Sequence, residues 1–131
     1  MNRYRPAVCA LCLCVVPATY AQEDTRTLTR EEVLSLIPGT TITARNAANG
    51  STRTWTNRAD GKFYVEWLDS WNRLYVAPGE WHISDKGRYC VVIGWVHAIP
   101  ETWCRGVTVD SEGHYALSNS HRAFDPYAIS R

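Results

Sequence analysis

The residues able to do chemistry are few. Four histidines stand at His82, His97, His114 and His121. None is two or four residues from another, so no strand or helix face carries a ready pair of metal ligands. No metal and no cofactor is expected. His82 falls on the strand face opposite Trp81, and His97 in a connecting loop, both ordinary surface positions. Carboxylates at Asp60, Glu66, Asp69, Glu80, Glu101 and Asp110 are spread over turns and strands. Two of them at a suitable separation would serve glycoside hydrolysis, yet Asp60 and Asp110 are better explained as turn formers. Past residue 21 there is no nucleotide-binding glycine pattern, no Gly-x-Ser-x-Gly elbow and no His-Glu-x-x-His.

The aromatic residues are more telling. Six tryptophans, Trp55, Trp67, Trp71, Trp81, Trp95 and Trp103, are more than a core of this size takes in easily. Trp71 lies between Ser70 and Asn72 in a turn and is the least suited to a core. Together Trp67, Trp71 and Tyr75 are expected to form a ligand-binding surface. Such rings can stack on a sugar or anchor a protein partner.

Five cysteines divide into two groups. Cys9, Cys12 and Cys14 fall within the apolar segment Ala7 to Val16, behind Arg3 and Arg5 and ahead of Pro17-Ala18-Thr19-Tyr20-Ala21. That is the pattern of a cleavable signal peptide over residues 1–21, cut after Ala21. Its apolar stretch is far short of the roughly 20 residues that span a bilayer. The three cysteines serve there as small hydrophobes. The expected location is the periplasm or the medium, with no membrane span left after cleavage. Cys90 and Cys104 remain, and in an oxidising compartment an even pair is expected to form a disulfide. Removing Arg3 and Arg5 from the 14 basic residues leaves 12 against 13 acidic ones, so no net field draws nucleic acid.

The elements that must position these residues are short. Residues 22–28 form a polar lead-in, and residues 29–131 a single domain. Thr29-Arg30-Glu31-Glu32 is a capping box opening a helix of two to three turns that Pro38-Gly39 stops. Beyond Thr40, turn signals recur near every ten residues, at Asn49-Gly50, Asp60-Gly61, Pro78-Gly79, Asp85-Lys86-Gly87 and Glu112-Gly113. This is the rhythm of antiparallel hairpins. Phe63, Val65 and Trp67 share one strand face; Trp81 and Ile83 share another. Thr40 to Ala44 and Thr52 to Thr56 read as more exposed strands. Residues 88–96 are apolar on both faces and read as a strand covered on both sides. A hairpin of 88–96 with 101–109, centred on His97, sets Cys90 opposite Cys104 and Val91 opposite Trp103. The last strand predicted is His114 to Leu117, with the tail from Ser118 irregular. The fold expected is mainly β: an antiparallel curved sheet or small barrel of about 6–8 strands with one short N-terminal helix and one disulfide.

The stretches Thr29-Arg30-Glu31-Glu32-Val33, Pro38-Gly39-Thr40-Thr41, Asp60-Gly61-Lys62, Gly79-Glu80-Trp81-His82-Ile83, Gly87-Arg88-Tyr89-Cys90 and Trp103-Cys104-Arg105 follow the signal peptide. In them the chain resembles a family of small exported bacterial domains, domain of unknown function 995. The resemblance covers most of Leu28 to Leu117. It implies a small antiparallel β domain with an N-terminal helix and a two-cysteine bridge, and it carries no activity. The functional expectation is a non-enzymatic binding protein with no catalytic residue, taking a cell-envelope glycan or a protein partner. The alternative is a protein inhibitor or immunity-type module using the disulfide-braced 96–101 loop as a wedge. A small hydrolase ranks last.

Overall fold

The computed structural model describes residues 24–118, 124 and 126–131. The predicted signal peptide, with Cys9, Cys12 and Cys14, lies outside the described residues, as does His121. Ten strands and one helix follow one another: β1 (Arg26–Thr27), α1 (Arg30–Leu36), β2 (Thr41–Arg45), β3 (Thr52–Thr56), β4 (Lys62–Leu68), β5 (Leu74–Ile83), β6 (Tyr89–Ile93), β7 (Glu101–Arg105), β8 (Val107–Val109), β9 (Tyr115–Leu117) and β10 (Tyr127–Ser130). They form one curled antiparallel sheet, a half-barrel, in the order β1-β8-β9-β10-β2-β3-β4-β5-β6-β7.

Alternation builds the core. Ile42, Ala44, Trp55, Phe63, Val65, Ala77, Val91, Ile93, Trp103, Leu117, Tyr127 and Ile129 all turn to the concave side and are buried. Trp55 sits at the centre, with ring centroids 5.4 Å from Phe63, 5.7 Å from Tyr127 and 6.3 Å from Trp103. Its indole N–H donates to the Tyr89 hydroxyl at 3.0 Å, which donates in turn to Asn57 Oδ1 at 2.6 Å. Burial pushes the Tyr89 phenol well above its ordinary value, so it stays a neutral donor. Gly79 faces Phe63 across the β4–β5 ladder, and a Cβ there would lie 2.2 Å from the Phe63 ring. Only a residue without a side chain lets that ring lie flat on the strand.

α1 is capped as its sequence requires. Thr29 Oγ1 accepts from the Glu32 amide at 3.3 Å, and Glu32 Oε2 accepts from the Thr29 amide at 2.8 Å. The helix buries Val33 and Leu36 at the end of the half-barrel marked by the β5–β6 turn. There a Cβ on Gly87 would lie 2.9 Å from Arg30 Cα.

Several sequence expectations are corrected. The sheet has ten strands because β1 pairs a segment read as lead-in with β8, Gly106 splits the 101–109 strand in two, and the tail supplies β10. β10 is a central strand between β9 and β2, carried by Tyr127 and Ile129. At Gly106 the amide donates to Ser118 Oγ at 3.0 Å and the carbonyl accepts from the Ser118 amide at 2.8 Å. β2 and β3 are interior strands, not exposed ones, since Ile42, Ala44 and Trp55 are buried. β6 is not covered on both faces. Its outer face carries the disulfide and an exposed Val92. The predicted hairpin register holds: Cys90 opposes Cys104 and Val91 opposes Trp103. The cysteines are joined, with Cα atoms 4.0 Å apart. Among the described residues no helix is long and apolar enough to cross a membrane.

Candidate functional site

At the end of the half-barrel away from α1, the concave face opens as a cleft of about 610 Å³. Ligand pockets commonly measure roughly 300–1,000 Å³. Three neighbouring strands supply one wall through their register. Arg53 on β3 opposes Trp67 on β4, which opposes Tyr75 on β5. The rings of Trp67 and Tyr75 lie 5.1 Å apart, and Trp95 meets Trp67 edge-on at 5.9 Å. Leu74 and Val76 extend that wall outward, and Val96 and Ala98 of the β6–β7 loop form the other.

The floor is an ion pair. Arg53 NH1 donates to both oxygens of Glu101, at 2.8 and 3.1 Å. The same carboxylate accepts the indole N–H of Trp95 at 2.9 Å and of Trp103 at 3.0 Å. Burial would raise the Glu101 carboxyl, but the hydrogen bonds from Trp95 and Arg53 outweigh it and hold the group below its ordinary value. Glu101 is therefore an anion at neutral pH and accepts four hydrogen bonds from three donor groups, two at each oxygen, which fills the acceptor capacity of a carboxylate. The Arg53 guanidinium also lies against three rings, 5.7 Å from Trp67, 5.3 Å from Trp95 and 4.5 Å from Phe124. Two donors here have no hydrogen-bond partner: Arg53 Nε and Trp67 Nε1, both buried. Unanswered buried donors are uncommon in folded proteins, and each costs on the order of 1–3 kcal/mol.

No protein-family model, curated protein or solved structure matches the chain.

Of the sequence-predicted site residues, Trp67 and Tyr75 line the cleft and Trp71 stands outside it, 74 % exposed. Trp71 is not remote, however. Arg73 carries its guanidinium 4.9 Å from the Trp71 ring and 5.9 Å from that of Tyr75, so the three make a continuous ledge. Asp69 holds the turn beneath, accepting from the amides of Trp71 and Arg73 and from Arg73 Nε. The residues that sequence reasoning missed are Arg53, Trp95 and Glu101. Parity could have found two of them: Arg53 is in phase with Trp55, and Glu101 with Trp103, so both must turn inward.

The 96–101 loop forms the other rim. Val96 is 73 % exposed and Ile99 90 %, and His97 takes a left-handed φ of 59°. His82 and His97 are both exposed. Elsewhere, Asp110, Glu112 and His114 bring one ligand atom each within 4.8 Å of the others. They sit on the exposed β8–β9 turn, where Asp110 Oδ1 accepts from the Glu112 and His114 amides, as a turn-forming aspartate does. Asp60 closes its own turn by accepting from the Lys62 amide.

Proposed function

We propose that the protein is an exported, non-enzymatic binding protein whose ligand sits in the cleft between Trp67, Tyr75 and Trp95, with Trp71 on the approach. The observation that carries this reading is an open aromatic cleft built over an ion pair that is already satisfied. Three rings give contact area at little entropic cost. Glu101 is ionised with every acceptor position engaged, so it has neither a proton to give nor a lone pair to take one. That favours binding over hydrolysis. The disulfide supports residence in an oxidising compartment, the periplasm or the medium, after loss of the signal peptide. The resemblance to exported domains of unknown function 995 points the same way.

The test is titration of the mature chain with a panel of solubilised cell-envelope fragments, following tryptophan fluorescence. A ligand of the cleft shifts the emission, protects it from iodide and loses at least about tenfold in affinity on Trp67→Ala. If no fragment does so, and Trp67→Ala changes no interaction of the protein, the cleft is not a binding site.

A second reading, the inhibitor or immunity-type module, is favoured by the exposure of Val96 and Ile99 on a hairpin braced by the disulfide. It requires Ile99→Asp to abolish partner inhibition while Trp67→Ala leaves it intact.

A further inference from the structure

We infer that the occupant of the cleft is a segment of another protein, one that lays an apolar or aromatic side chain between Trp67 and Trp95 and offers backbone carbonyls, rather than a glycan. The inference rests on the cleft being the binding site, and four observations carry it.

The first is the hydrogen-bonding capacity of the lining. Arg53, Trp67 and Trp95 can only donate, and Leu74, Val76, Val96 and Ala98 have no polar side-chain atom. Glu101 could accept, but its oxygens already take Arg53, Trp95 and Trp103. Among the described lining residues only the Tyr75 hydroxyl keeps free side-chain acceptor capacity. Each sugar hydroxyl turned inward brings an O–H that needs an acceptor, and burying it unanswered is unfavourable. A peptide unit carries an N–H as well as a carbonyl, but in an extended segment the two point to opposite sides, so the carbonyl can turn inward while the N–H stays toward the open side of the cleft.

The second is the pair of orphan donors. Arg53 Nε and Trp67 Nε1 are buried at the wall and floor with nothing to donate to. A carbonyl oxygen from an occupant answers either one. Both nitrogens are shut off from water, so reaching them entails a shift of the surrounding rings, which tryptophan fluorescence reports.

The third is charge. Arg53 is neutralised by Glu101 at 2.8 Å and Arg73 by Asp69 at 2.7 Å. A cleft with both charges answered favours a neutral occupant, which rules against an acidic or basic ligand head.

The fourth is the rim. Leu74, Val76 and Val96 line the cleft and are themselves exposed, with Ile99 beyond them on the same loop. Apolar side chains around an aromatic pocket are what excludes water around a buried anchor in protein recognition.

The experiment selects phage-displayed random dodecapeptides on the immobilised mature protein, and in parallel titrates it with soluble N-acetylglucosamine oligomers. Enriched peptides are synthesised and measured against Trp67→Ala and against Leu74→Asp, an exposed rim substitution that leaves the core intact. The expected result is enrichment of an aromatic or branched aliphatic residue flanked by uncharged ones. Binding should shift the tryptophan emission and weaken about tenfold or more in both variants, while the sugars leave the spectrum unchanged. Sugars that bind while no peptide does would overturn the inference and leave the cleft reading standing. Peptides that bind both variants as well as they bind the wild type would overturn it too, since they would sit elsewhere. Failure of both probes to bind would count against the inference and the cleft reading together.

Discussion

Glu101 shows how much one side chain can hold together. It sits at the first position of β7, yet its carboxylate joins Arg53 of β3, Trp95 of the β6–β7 loop and Trp103 of its own strand. Arg53, in turn, is wedged against the rings of Trp67, Trp95 and Phe124, and little of its side chain reaches solvent. Removing the anion alone strands a guanidinium in an aromatic environment. We expect Glu101→Ala to lower the unfolding free energy by about 3 kcal/mol, read from the urea midpoint at constant slope. Removing both charges in Arg53→Met/Glu101→Ala should recover part of that loss, since no uncompensated charge then remains. A double variant less stable than Glu101→Ala would mean the pair matters for its packing, not its charge. Tyr89 is a quieter case. Its hydroxyl links Trp55 to Asn57 under the sheet, so Tyr89→Phe leaves a donor and an acceptor unanswered and should cost about 1–3 kcal/mol in the same assay.

At the scale of elements, short pieces are stable here because each is tied to a neighbour. α1 has seven residues, too few to persist alone. Its capping box is reinforced by Arg26 of β1, whose guanidinium donates to both oxygens of Glu32 at 2.8 and 2.9 Å. The hydrogen bond from Arg26, then that from the Thr29 amide, pull the Glu32 carboxyl from 4.5 down to about 2. Because the folded value lies below the unfolded one, this contribution is present above about pH 4.5 and is lost as pH falls toward 2. Thermal unfolding followed across that interval should show a drop that shrinks in Glu32→Gln. A variant with the full wild-type slope would place the acid sensitivity elsewhere. In β5 the tie is steric. Gly79 leaves room for the Phe63 ring, and Gly79→Ala drives a methyl into it. Phe63 is enclosed by Trp55 and the sheet, so it cannot move cheaply, and the expected cost is about 1–3 kcal/mol in the urea midpoint.

Much of the molecule was legible in sequence where the signal was local, and less where it was made by pairing across distance. The exception is Pro78-Gly79, a local turn signal that lies inside β5, where Gly79 makes room for Phe63. Period-two alternation in Phe63, Val65 and Trp67, the capping box at Thr29 and the symmetry of Cys90 and Cys104 about His97 each state a fact about neighbours, and each corresponds to what the fold contains. β10 was hidden because Tyr127-Ala128-Ile129-Ser130 offers only two inward residues, and its value lies in filling the gap between β9 and β2. The cleft was half visible. Trp67 and Tyr75 stood out as aromatics, whereas Arg53 looked like one charge in a threonine-rich strand. Glu101 looked like one scattered carboxylate among several. Only the ladder order β3-β4-β5-β6-β7 makes them neighbours. The disulfide matters most at this scale, because β7 is an edge strand held in the sheet by β6 alone and it carries Glu101 into the cleft floor. The bridge joins residues 14 apart in sequence, and closing a loop of that size is worth about 3 kcal/mol in the chain-entropy model. Cys90→Ala/Cys104→Ala should lower the unfolding free energy by about that amount in guanidinium titration. It should also speed amide exchange in β7 more than in β2 or β3, because an edge strand relieved of its covalent tie opens locally before the sheet does. Uniform acceleration across the sheet would instead mean that the bridge acts on the unfolded chain alone, and that the cleft floor is held by the Arg53–Glu101 pair without its help.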